Sequence, residues 1–193
     1  MSKGYSGLFG GTKDATMNST YLSGSNNGES YSDRGIDIPE HIKGYLSRLQ
    51  NKGDYITGLV GEFNMTDVSI MSKETGVEFA HITIDGVTYL IRGDVNGTVI
   101  PNILIDKMRK SNGTWDFHSH PHNDDCIPSD TDKKLIKKLS GYTGQKESVI
   151  ITPNGKKSTF GKDGIISVST IPNTIDADRR KALLELFGGL KDD

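Results

Sequence analysis

One short segment restricts this chain more than any other: His118-Ser119-His120-Pro121, followed by Ser129-Asp130-Thr131-Asp132. The residues leading in, Thr114 to Phe117, favour an extended backbone, and residues two apart on a strand share a side. His118 and His120 therefore face one point. Pro121 lacks the N–H that would continue the pairing and ends the strand. Ser129 is suited to an N-cap, with Asp132 at the third position of the helix that follows. A fold built on this segment brings a strand end and a helix start together. It places two imidazoles and a carboxylate where one divalent metal could be held.

The surrounding pattern predicts a mixed α/β (α+β) domain. Pro39 suits a first helical turn, and Ile42, Tyr45, Leu46 and Leu49 repeat at the spacing of one apolar helix face until Gly53. Tyr55 to Val60 and Glu78 to Ile84 read as strands. Asp85-Gly86 is a two-residue hairpin signal, because both turn positions need positive φ. Val87 to Arg92 is the return strand, Asn96-Gly97 a turn, and Asn102 to Lys110 a helix. After Ser129, Leu135, Ile136 and Leu139 form a buried stripe, while Lys133, Lys134, Lys137 and Lys138 form a solvated one. Ser148 to Thr152 and Lys157 to Phe160 flank the turn Pro153-Asn154-Gly155, and Ile165 to Val168 adds a strand. Asp176 caps a last helix carrying Leu183, Leu184 and Phe187, stopped by Gly188-Gly189. Several hairpins imply a sheet that is largely antiparallel or mixed.

The length of 193 residues suits one domain. Residues 1–35 are dominated by Gly, Ser, Asn and Thr and cannot bury enough surface to offset their ordering entropy. They read as a flexible tail, a linker or a fusion joint, with the ordered domain spanning 36–193. A net charge of -2 gives no support for a nucleic-acid or membrane-surface role. No apolar run is long enough to span a bilayer, and the N-terminus lacks the apolar core of a secretory signal. The single cysteine, Cys126, excludes an internal disulfide framework. The expectation is a cytoplasmic protein, or one exported without a cleaved signal.

A catalytic zinc site takes three N or O ligands and leaves one position for water. His118, His120 and one downstream Asp supply that set. Zn2+ lowers the pKa of water to about 7. The chemistry then needs a carboxylate to take and return a proton and a donor for the developing oxyanion.

At these residues the chain resembles the JAB/MPN (JAMM) metallopeptidases, whose pattern is an upstream Glu, then His-x-His-Pro, then Ser-x-x-Asp. The resemblance runs from about Asp54 to Val168. It implies a JAB/MPN-like (cytidine-deaminase-like) sandwich, with a mixed, largely antiparallel sheet flanked by helices. It also implies hydrolysis of a peptide or isopeptide bond with one zinc held by His118, His120 and Asp132, and Ser129 as oxyanion donor. For the upstream acid, Glu78-Phe79-Ala80-His81-Ile82 fits the pattern. On a strand, Glu78 shares a face with Ala80, Ile82 and Ile84, where an isolated carboxylate is costly unless something pairs with it. A competing register, on Gly58-Leu59-Val60-Gly61, puts the acidic position at Tyr55, beside Asp54. Glu62 and Glu74 are further options. Between His120 and Ser129 the chain has one residue more than the commonest family spacing. That points toward bacterial, toxin-type or phage-type JAB domains. The implied partners are a protein or peptide substrate, a ubiquitin-like protein or the chain's own polypeptide.

Each residue also has a plainer reading. His118 and His120 could be a structural strand pair, and Ser129 and Asp132 could be helix-capping residues only. Asp130 could replace Asp132 as ligand. His122, Asp124 and Asp125 read as a solvated loop, His81 as a sheet-face histidine opposite Glu78, Cys126 as an incidental thiol or lining residue, and Trp115 as packing. Two other functions compete. One is a non-catalytic JAB-like binding module. The other is a PHP-type phosphoesterase or amidohydrolase, which Asp116 to His122 also resembles. Those barrels use many further ligands, and no histidine follows His122.

Overall fold

A computed structural model describes residues 38–171. The tail expected over 1–35, and the last helix expected from Asp176, lie outside the described residues. In chain order the elements are α1 (Glu40–Arg48), β1 (Tyr55–Leu59), α2 (Met65–Thr75), β2 (Phe79–Ile84), β3 (Val87–Arg92), α3 (Asn102–Ser111), β4 (Thr114–Ser119), α4 (Asp130–Tyr142), β5 (Glu147–Ile151), β6 (Lys156–Gly161) and β7 (Gly164–Thr170). The fold is mixed α+β, with a seven-stranded sheet and four helices among the described residues.

The sheet order is β1-β3-β2-β4-β5-β6-β7. Every pairing is antiparallel except β4 with β5. A parallel pair needs a crossover, and α4 provides it. The β2–β3 hairpin turns at Asp85 and Gly86 with φ of 52° and 76°, so both positions have the positive φ that their sequence predicts.

The central strands β2 and β3 are buried on both sides because helices cover both faces. Phe79, Leu90, Phe117 and Ile151 pack with Ile42 and Leu49 of the α1 region and with Val68 and Met71 of α2. Their strand neighbours Ala80, Ile91 and Ile150 point the other way. They pack with Leu104 and Met108 of α3 and with Ile136 and Leu139 of α4. Alternation along each strand thus divides the core into two clusters on opposite faces. Among the described residues, no helix is long and apolar enough to cross a membrane.

The helix α2 has no counterpart in the sequence expectation. Its caps were visible: the Asn64 side chain accepts from the Asp67 N–H, and Gly76 closes the helix with φ 65°. Its interior hides it, because Val68 to Ser72 are all buried and an all-buried run carries no amphipathic period.

Candidate metal centre

The strand β4 is not a regular ladder. Against β2 its register runs Ala80–His118 and His81–Phe117, then slips so that Ile82 meets Trp115. This β-bulge leaves Asp116 as the extra residue. It brings Trp115 onto the same face as His118, where the rings stack at 4.8 Å. Phe160 meets the His118 ring in a T-shaped contact on another side, with centroids 5.7 Å apart. Aromatic packing therefore sets the orientation of the His118 ring. Behind it, Phe79 N–H donates to the Ser119 hydroxyl, which is fully buried, at 2.9 Å. That bond keeps β2 and β4 paired up to the last residue before the site.

Carrying the Ala80–His118 register two residues further sets Glu78 opposite His120. The backbone of Glu78 is fixed by two bonds to the segment after β3. Its N–H donates to Asp94 O at 3.1 Å, and Gly93 N–H donates to its carbonyl at 2.7 Å.

The side chains converge. His118 Nε2 and His120 Nε2 are 3.1 Å apart. Asp132 Oδ1 is 3.6 Å from His118 Nε2, and its Oδ2 is 3.9 Å from His120 Nε2. Glu78 Oε1 is 3.9 Å from His120 Nε2. Ligand atoms of Glu78, His118 and His120 all lie within 4.8 Å of one another, a group that could hold a metal ion. Two nitrogens on a tetrahedral zinc, each about 2.0–2.1 Å from the ion, stand about 3.4 Å apart. The observed imidazole spacing is close to that figure. The donor set, two imidazoles and carboxylates, also suits a borderline cation.

Asp132 reaches this point because α4 starts there. The Ser129 side chain accepts from Asp132 N–H, and Asp132 Oδ2 accepts from both the N–H and the hydroxyl of Ser129, each at 2.7 Å. This reciprocal capping box occupies Oδ2 and turns Oδ1 toward His118. Capping and ligand placement are thus one arrangement.

The electrostatics are those of crowded acids. Burial, with Asp132, Asp125 and Asp94 nearby, pushes Glu78 up to about 8. Burial also works to raise Asp132, but His118 beside it and the Ser129 donors hold its carboxyl at about 2. Burial, then the neighbouring His118, pushes His120 below the usual imidazole value. A bound cation would offset the repulsion between Glu78 and Asp132.

The other sequence candidates fall elsewhere. Asp130 is solvent-facing and paired with Lys133. Asp54 accepts from the backbone of Gln50 and Asn51, at a turn before β1, and β1 is separated from β4 by β3 and β2. Glu62 accepts from Leu59 N–H in a turn, and Glu74 lies in the last turn of α2. His81 is on the face opposite Glu78, stacked on Phe117 and bonded to Asp116. Cys126 is buried, and His122 is exposed.

Asp125 is exposed in a loop, as expected, but it also touches His120. Its carboxylate is half-exposed, but its carbonyl is 2.9 Å from His120 Nδ1 and its Oδ2 is 3.3 Å away. A carbonyl only accepts, so His120 carries its proton on Nδ1 and presents Nε2 to the cluster. No sequence signal could mark a backbone contact of this kind. No protein-family model, curated protein or solved structure matches the chain, so the functional reading rests on this geometry.

Proposed function

We propose that the protein is a zinc-dependent metallopeptidase of JAB type that hydrolyses a peptide or isopeptide bond. The observation that carries this reading is the facing pair His118 Nε2 and His120 Nε2, with Asp132 3.6 Å from the first and Glu78 3.9 Å from the second. His118, His120 and Asp132 hold the zinc. When bound, zinc supplies an acidified water and polarises the substrate carbonyl.

The protein's own groups do the rest. Glu78, beside His120 and outside the three ligands, takes the proton of the attacking water and returns it to the leaving nitrogen. Without a cation burial favours its protonated form; a cation beside it would favour the ionised carboxylate that accepts the proton. Ser129 turns its hydroxyl from Asp132 Oδ2 toward the substrate oxygen and stabilises the developing oxyanion. Asp132 keeps the Ser129 backbone N–H, so the cap survives that turn. The substrate is polypeptide in class, with a ubiquitin-like protein and the chain's own polypeptide as the candidates to profile.

The test is a profiling screen. Zinc-loaded wild-type protein is presented with a peptide library and with isopeptide-linked lysine substrates, alongside Glu78→Gln. Cleavage by the wild type and its loss in the variant are expected. No cleavage of either substrate type by zinc-loaded wild type, or full activity in Glu78→Gln, overturns the reading.

A further inference from the structure

The two histidines are held in different ways. His118 lies between Trp115 and Phe160, and among the described residues its buried Nδ1 has no hydrogen-bond partner. His120 depends on Asp125 O. The segment 122–128 that presents this carbonyl is the one where the chain carries an extra residue relative to the pattern it resembles.

The Cys126 thiol meets Thr152, and two further contacts tie that segment to the sheet. Lys156 pairs with Asp124 at 2.6 Å, but both side chains are solvent-accessible, and such exposed pairs contribute little. The second is buried. The Ser158 hydroxyl of β6 donates to Cys126 O at 2.6 Å, and Ser158 is fully buried. An unmet buried carbonyl is far more expensive than a lost surface pair, so Ser158 is the effective anchor. Cys126 is the next residue after Asp125, so fixing its carbonyl fixes the peptide whose oxygen meets His120.

We propose that segment 122–128 is a positioning clamp: Ser158 anchors Cys126 O, and the adjacent Asp125 O locks His120 in the tautomer that presents Nε2 to the metal. Asp125 and Ser158 are thus positioning residues, acting through His120. The inference rests on reading the cluster as a metal centre. It adds a dependence of that centre on β6, a strand that contributes no ligand.

The experiment compares wild type, Ser158→Ala and Ser158→Thr. Zinc affinity is measured by competition with a chromophoric chelator, and the His120 tautomer by long-range 1H–15N NMR of the metal-free protein. Wild type should show the Nδ1–H form alone. Ser158→Ala should add the Nε2–H form and bind zinc at least tenfold more weakly, within the roughly 10- to 100-fold range for outer partners of metal ligands. Ser158→Thr, which keeps the hydroxyl, should recover both. An unchanged tautomer in Ser158→Ala, or an affinity within twofold of wild type, overturns the proposal. If Ser158→Ala does not fold, one glycine inserted between Asp125 and Cys126 loosens the clamp from the solvent side and is read the same way. If the wild type binds no zinc, the metal centre fails, while the NMR comparison still decides the clamp.

Discussion

Glu78 faces His120 across the end of the β2–β4 ladder, with Oε1 3.9 Å from Nε2. The pairing of Ala80 with His118 dictates this position, and the bonds of Glu78 to Gly93 and Asp94 hold it. An acid on a buried face beside Asp132 is unfavourable without a cation, and the predictions below follow from that conflict.

Glu78→Gln should keep close to one zinc per chain and lose at least 100-fold in kcat, the lower range for removing a general base. Metal analysis and initial rates on the best profiled substrate give the two numbers. Parallel loss of zinc and activity would assign Glu78 to metal binding instead.

Above about pH 6.5, the ordinary imidazole value, the metal-free protein should lose stability as pH rises. Glu78 titrates at about 8 when folded, against an ordinary value of 4.5 when unfolded. Between those values the unfolded chain is ionised while the folded one keeps the proton, so folding becomes less favourable, approaching about 1.4 kcal/mol per pH unit. Below about pH 6.5 the lowered value of His120 works the other way, so urea denaturation in chelator should show the decline in wild type between pH 6.5 and 8. Glu78→Gln should flatten it. Asp132 has the opposite sign: held at about 2, it stabilises the fold above pH 3.8 and loses that contribution as pH falls toward 2.

Zinc should raise Tm more at pH 7.5 than at pH 5.5. Ligand imidazoles must be neutral, and the repulsion between Glu78 and Asp132 that a cation relieves grows with pH. Thermal melts with and without zinc measure the difference. An equal shift at both values would contradict proton-coupled binding at this cluster.

Ser129 should separate into two roles. Ser129→Ala removes an N-cap and should cost about 1 kcal/mol as well as activity. Ser129→Asn should restore most of the stability, because Asn caps well, yet leave kcat reduced by about 100-fold, since the oxyanion donor is displaced. Recovery of activity together with stability would reduce Ser129 to a cap.

Much of this arrangement was legible in the sequence because its signals are local. The spacing of His118 and His120 on an extended run, the capping pattern of Ser129 and Asp132, and the Asp85-Gly86 turn each depend on neighbouring residues, and each is found where its chemistry predicts. The choice of Glu78 over Asp54 was not local. It follows from β2, and not β1, lying beside β4. The bulge at Asp116 breaks the simple alternation along β4, so the stacking of Trp115 on His118 could not be read from period alone. The helix α2 was hidden by burial on all sides, and the hold of Asp125 on His120 runs through a carbonyl that every residue possesses.

The most direct test of the central claim is zinc stoichiometry, measured by atomic emission after equilibrium dialysis against buffered zinc. The wild type should hold one zinc per chain, and the double substitution His118→Gln with His120→Gln should hold none while circular dichroism shows the fold retained. A wild type without zinc, or a folded double variant that keeps it, would contradict a metal centre at His118, His120 and Asp132.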